Sequence, residues 1–75
     1  MGDRKTISRV VGRRIAATRR AAGLTQAELA ERTGWPRNTL INIEYGRRSI
    51  TVDRLIQISI ALNVPPAALL VDNVE

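Results

Sequence analysis

The sequence predicts a compact all-helical bundle of five short helices, and three observations carry that prediction. Apolar residues recur three and four apart along most of the chain, and no segment reads as a strand. Residues that stop a helix by turning left-handed stand at intervals, at Gly23, Gly34, Gly46 and Asn63. Hydroxyl residues suited to capping a helix start, Ser8, Thr25 and Thr51, precede the apolar stretches. With 75 residues the chain has room for one small domain, near the limit of what folds without covalent staples.

Each element follows from local signals. Residues 1–7 are polar and aperiodic, which suggests a flexible basic arm ahead of a domain spanning 8–71, with 72–75 a frayed tail. Ser8 is placed to cap a first helix running to about Ala22. One face of it carries Val11, Ile15, Arg19 and Ala22, with Arg9, Arg13, Arg14 and Arg20 around the remainder. Thr25 and Glu28 form a capping box, each side chain serving the backbone N–H at the other end of the turn. The second helix then runs to Thr33, turning Leu29 and Ala30 inward and Glu31 and Arg32 outward. A third helix, about Arg37 to Tyr45, packs through Leu40 and Ile43 and stops at Gly46. The fourth, from the Thr51 cap to Leu62, buries Leu55, Ile58, Ser59 and Leu62 and has Asp53 in its positively polarised first turn. After Pro65 and Pro66 a fifth, short turn of helix spans Ala67 to Leu70.

Composition excludes several function classes. There is no cysteine and no histidine, which removes disulfides, thiolate metal sites, the commonest metal ligand and the usual proton shuttle. No metal and no cofactor is expected. The acids are scattered among arginines without a cluster that would suit acid–base catalysis, so the chain does not read as an enzyme. No apolar run is long enough to cross a bilayer, and the first residues lack the apolar core of a signal peptide. A cytoplasmic setting is the simplest expectation.

The net charge of +5 is unevenly placed. All twelve basic residues lie in positions 1–54 against five acids, a net of +7, whereas positions 55–75 carry only Asp72 and Glu75. Eleven of the bases are arginine, the side chain suited to paired contacts with phosphate and guanine. Charge alone fits DNA, RNA or an acidic membrane surface. An RNA-binding reading lacks the aromatic platforms on which unpaired bases stack, since Trp35 and Tyr45 are the chain's only aromatics.

The most specific stretch is 26–43, QAELAERTGWPRNTLINI. Two helices crossing at a short turn admit only a small side chain where they come closest, and Ala30 supplies it. Gly34, four residues on, takes the backbone shape of the turn cheaply. Leu40 and Ile43 pin the second helix from its inner side. Each feature is common; the set at these spacings is not.

These segments resemble the helix–turn–helix family of the phage Cro and C1 repressors, which includes many small bacterial regulators. TQAELAERTG is similar to the family's second helix, LINIEYGRR to the end of its third, and TVDRLIQISIALNVPPAALL to its fourth and fifth. The resemblance covers about Val11 to Leu70 and implies a lambda-repressor-like fold and a bacterial or phage-encoded regulator of transcription. It also implies that the third helix reads bases in the major groove. Carried over, Arg37, Asn38 and Asn42 are the base-reading candidates; arginine matches guanine O6 and N7, and asparagine matches adenine N6 and N7. The same three residues would also serve as ordinary solvated groups on a surface helix. Gln26, Arg47 and Arg48 are implied contacts to the DNA backbone, and Thr39 a phosphate or methyl contact. Arg4 and Lys5 could wrap the duplex or simply form a basic tail. Arg19 falls on an apolar face, where an unpaired charge is costly. The resemblance pairs it with Glu44, just before Gly46, as a partly buried bridge.

Trp35-Pro36 departs from the family pattern, which has a serine or threonine cap there. Proline suits a helix start without capping it, and Trp35 is expected to clamp that start on Leu40 rather than to stack on a nucleobase. Val52, Ile56 and Ile60 form a second apolar stripe on the fourth helix, expected to join two copies. The alternative is that helix five and the Val71 and Val74 tail cover it. No effector domain follows, so control is expected from concentration, cooperativity or a separate partner. The expected function is a sequence-specific repressor that binds a near-palindromic operator as a homodimer. An antitoxin, or a small helical adaptor for a protein partner, is the competing account.

Overall fold

The computed structural model describes residues 3–70. Four α-helices follow one another: α1 (Arg4–Ala21), α2 (Gln26–Thr33), α3 (Arg37–Glu44) and α4 (Val52–Leu62). A 3-10 turn, Pro66–Leu69, closes the described chain. The all-helical expectation holds among the described residues, but the fifth helix is corrected to a single 3-10 turn. Pro65 and Pro66 have no N–H to donate, and four residues are too few for a settled α-helical ladder.

Helix ends explain why the chain breaks where it does. Thr25 and Thr51 each accept a backbone N–H three residues on, and at Thr25 the reciprocal bond from its own N–H to Glu28 is also made, completing the capping box. Gly23, Gly34, Gly46 and Asn63 all take positive φ, between 58° and 77°. In each case the next N–H reaches back five residues: Leu24 to Arg19, Trp35 to Ala30, Arg47 to Asn42, and Val64 to Ser59. Leu24, Trp35 and Val64 then pack against the core and fold the chain back on itself. Arg47 is the exception; it is exposed.

The start of α1 corrects the sequence reading. The helix begins at Arg4, not after Ser8, because the Asp3 carboxylate accepts the Thr6 N–H and serves as the N-cap. Residues 3–7 are therefore no arm; residues 1–2 and 71–75 lie outside the described residues, and with them the expected fraying of 72–75. The helix also ends one residue early, leaving Ala22 exposed rather than on the buried face.

One core holds the bundle. Ile15, Leu29, Leu40, Ile58 and Leu69 are fully buried, and Val11, Ala30, Ile43 and Leu62 nearly so. Every element thus gives at least one side chain to it, with Leu55 and Ile50 partly buried at its margin. Gly12 sets the closest approach. A Cβ there would stand 2.4 Å from the Ile43 carbonyl oxygen and 2.6 Å from that of Glu44, so α1 lies directly against the α3 backbone.

Candidate nucleic-acid interface

The helix–turn–helix pair is α2 and α3, joined by Gly34, Trp35 and Pro36. Ala30 is buried at their crossing, and Leu40 and Ile43 face the core. With that inner side committed, the opposite edge of α3 presents Arg37 and Asn38, both exposed, and Asn42 and Thr39, both half-buried. The structure therefore groups Arg37, Asn38 and Asn42 on one accessible edge. Asn42 is partly engaged, its Oδ1 lying 3.5 Å from Arg47 Nη1 at the outer limit of a hydrogen bond. Arg47 also lies over the Tyr45 ring, 5.0 Å from its centroid.

The C-terminal end of α3 is anchored by a buried ionic cluster. Arg19 donates from Nε to Glu44 Oε2 at 2.7 Å and from Nη2 to Oε1 at 3.1 Å, a bidentate fork, and from Nη1 to the Leu24 carbonyl at 2.9 Å. Gln26 adds a bond from Nε2 to Glu44 Oε1 at 2.9 Å. Both charges are nine-tenths buried, and no buried side-chain polar atom among the described residues lacks a partner. The Arg19–Glu44 pairing stands as expected. The Gln26 bond was not foreseen: Glu44 fixes the Gln26 amide in place and leaves its carbonyl oxygen and second N–H for a ligand.

The other end of α3 is held differently. Pro36 makes no side-chain cap. Trp35 is partly buried against the core cluster that contains Leu40, and its indole Nε1 donates to Gln57 Oε1 of α4 at 3.0 Å. Arg54 of α4 lies over the indole, 5.3 Å from the ring centroid. One face of the ring is thus covered and its N–H is bonded.

Arg14 and Arg32, read in the sequence as surface charge, donate to the Ala68 carbonyl at 3.2 Å and the Ala61 carbonyl at 3.3 Å. Each closes an orphan carbonyl near the end of another element. Arg47 and Arg48 are exposed in the loop after Gly46. Val52, Ile56 and Ile60 are 74%, 40% and 73% exposed, so the 3-10 turn does not cover that stripe; Val71 and Val74, the rest of the expected cover, lie outside the described residues. Among the described residues no helix is long and apolar enough to cross a membrane.

A polar edge on a short helix, braced from behind and followed by an arginine loop, defines a helix–turn–helix DNA-binding domain. Comparison with known proteins agrees. Residues 15–69 match the helix-turn-helix family HTH_3. The chain is 41% identical over 56 residues to the HTH-type transcriptional regulator y4dJ of Sinorhizobium fredii, covering 75% of this chain and 73% of that protein. The restriction-modification controller protein C.AhdI of Aeromonas hydrophila superposes with a TM-score of 0.80 at 29% identity, over 83% of this chain and 94% of its own. The clp gene regulator ClgR of Corynebacterium glutamicum does so at 0.82 and 26% identity, over 85% and 83%. The chain belongs to this Cro/C1-type family of helix-turn-helix transcriptional regulators, and is not an enzyme.

Proposed function

We propose that the protein is a sequence-specific repressor that binds a near-palindromic operator in double-stranded DNA as a homodimer. The observation that carries this reading is the division of α3. Its inner residues are buried and bonded, while Arg37 and Asn38 stand exposed with Asn42 beside them. Inserted in the major groove, Arg37 donates to guanine O6 and N7, and Asn38 and Asn42 pair with adenine N6 and N7. Thr39, Arg47, Arg48 and the tethered Gln26 contact the sugar-phosphate backbone and fix the register. The exposed Val52, Ile56 and Ile60 supply the surface on which a second copy sits, bringing two recognition helices about one DNA turn apart. Repression follows if the operator overlaps a promoter. The similarity to a restriction-modification controller and a clp gene regulator supports a regulatory role of this kind. An adaptor or antitoxin that hides α3 against a protein is less well supported, because no described part of the chain covers that edge.

Selection of bound sites from random duplex DNA tests the proposal, with an inverted repeat as the expected product. Asn38→Ala should lower affinity for the selected site by about 1–3 kcal/mol and relax preference at one base pair. Failure to enrich any motif at low salt would sink specific binding; full preference in the Asn38 variant would remove that residue from the reading edge.

A further inference from the structure

Four basic residues of α1 share an edge that neither the core nor the proposed reading helix uses. Lys5, Arg9, Arg13 and Arg20 are spaced four, four and seven apart, so they line one side of the helix over roughly 22 Å. All four are exposed, and their side chains make no hydrogen bond with the described residues. Arg14, Arg19 and Arg32, by contrast, spend guanidinium donors on protein acceptors. The edge lies beside the interface. Arg13 and Arg20 border a groove of about 490 Å³ with Ala16 and Ala17 between them, Gln26 at the start of α2, and Tyr45 just past α3. Arg9 runs over Gly46, whose missing Cβ would stand 2.8 Å from the Arg9 Cγ and 2.9 Å from its Cα. The Arg9 stem therefore packs on Gly46, the residue that opens the loop carrying Arg47 and Arg48. Glu44 also reaches the groove, but its charge is already met by Arg19 and Gln26.

We infer that this edge of α1 is a rail for one DNA backbone, carrying the phosphates of the strand that flanks the groove occupied by α3. The small Ala16 and Ala17 let the strand approach the helix closely, while Arg13 and Arg20 close on it from either end. Arg9 extends the contact toward the Gly46 loop. The inference rests on the DNA-binding reading and adds to it a sequence-independent part of the affinity, held by α1 rather than by the helix–turn–helix itself. Arginine or lysine serves at such a position, since a phosphate takes either.

The test is the salt dependence of binding by the full chain, on a selected operator and on a scrambled duplex of equal length, between about 50 and 200 mM salt. Arg13→Ala and Arg20→Ala should each lower the slope of log affinity against log salt by about one. Both duplexes should weaken alike, leaving their ratio unchanged. Arg13→Lys and Arg20→Lys should keep the wild-type slope. Circular dichroism should show all four variants folded, since these side chains are exposed. Unchanged slopes in the alanine variants overturn the rail while leaving the DNA-binding function standing. Losses confined to the operator also overturn it, since they would make these residues base readers. A wild-type chain that binds neither duplex at low salt removes the function and the rail together.

Discussion

Replacing Gly12 with alanine pits two effects of opposite sign against each other, and the structure decides between them. In a helix interior alanine is better than glycine by about 1 kcal/mol, so an open site would gain stability. Gly12 is not open. The added Cβ would lie 2.4 Å and 2.6 Å from two carbonyl oxygens of α3, where ordinary contact begins at 3.4 Å. The α3 backbone must then retreat by about 1 Å. It cannot do so alone, because Leu40 and Ile43 are locked in the core and Glu44 is bonded to Arg19 and Gln26. Forcing one extra carbon into such packing typically costs about 1–3 kcal/mol, and stretching the buried bidentate pair adds to that.

The net expectation is a loss of about 1–2 kcal/mol, a large share of the roughly 3–5 kcal/mol that a domain of this size commands. At 4–8 °C per kcal/mol for small domains, the melting temperature should fall by roughly 5–15 °C. Urea and thermal denaturation of the full chain measure this directly. Because the displaced element is the proposed reading helix, DNA affinity should also fall at temperatures where the variant is still fully folded. A Gly12→Ala protein as stable as the wild type would refute the close α1–α3 packing and everything argued from it.

Other outcomes follow from the same geometry. Arg19→Ala or Glu44→Ala leaves a buried charge without its partner and should destabilise by about 3–5 kcal/mol, enough to unfold much of the protein at 37 °C by circular dichroism. Arg19→Lys should rescue poorly, because one ammonium cannot reproduce the fork to both carboxylate oxygens and the Leu24 carbonyl. Ile60→Glu should convert the proposed dimer to a monomer in sedimentation measurements while leaving the melting temperature of a dilute sample nearly unchanged, since Ile60 is 73% exposed. Two carboxylates should make stability fall in acid. The Thr6 N–H on Asp3 and the Thr25 N–H on Glu28 hold those groups below their usual values. Their folded forms therefore bind protons more weakly than the unfolded chain does. Their contribution is present above the ordinary carboxylate pKa and disappears as pH falls through the lowered values, below about pH 4. Glu28→Gln should flatten that part of the pH–stability curve, and an unaltered curve would count against the capping box.

Much of the fold was legible because its helix ends are written locally. A positive-φ residue followed by an apolar one, at Gly23-Leu24, Gly34-Trp35 and Asn63-Val64, carries both the stop and the return to the core within two positions. The Arg19–Glu44 bridge was legible through family resemblance and the oddity of a charge on an apolar face. Three features were not. Asp3 caps a stretch in which Ile7 stays 54% exposed, so no buried periodicity announces the added helical residues. Gly12 is small because of where the carbonyls of another helix lie, which no spacing within α1 can reveal. Arg14 and Arg32 look like solvated charge until folding brings distant carbonyls beside them. Each of these depends on the position of a partner rather than on a local pattern.

The proposed reading helix, α3, shows why those partner-dependent features matter. It has eight residues, no side-chain cap at its start and no basic residue in its last turn, and a helix that short is not stable alone. Its orientation must be imposed from outside, and each neighbouring helix imposes a different part. From α4, Gln57 and Arg54 fix the start through Trp35. From α1, Arg19 and the Gly12 contact fix the end, and from α2 Gln26 joins the same carboxylate. Arg37 and Asn38 are left out of this bracing, which frees them to vary without loss of the fold. The two anchors are also unequal in kind. The end is set by α1 and α2, whereas the start is tied to α4, the helix bearing the exposed Val52, Ile56 and Ile60 stripe. A partner seated on α4 therefore lies closer in contacts to the Trp35 anchor than to the Glu44 anchor. Assembly through that stripe would thus reach the first turn of α3 most directly, and half-site spacing and base preference should vary together in variants of Gln57 or Trp35.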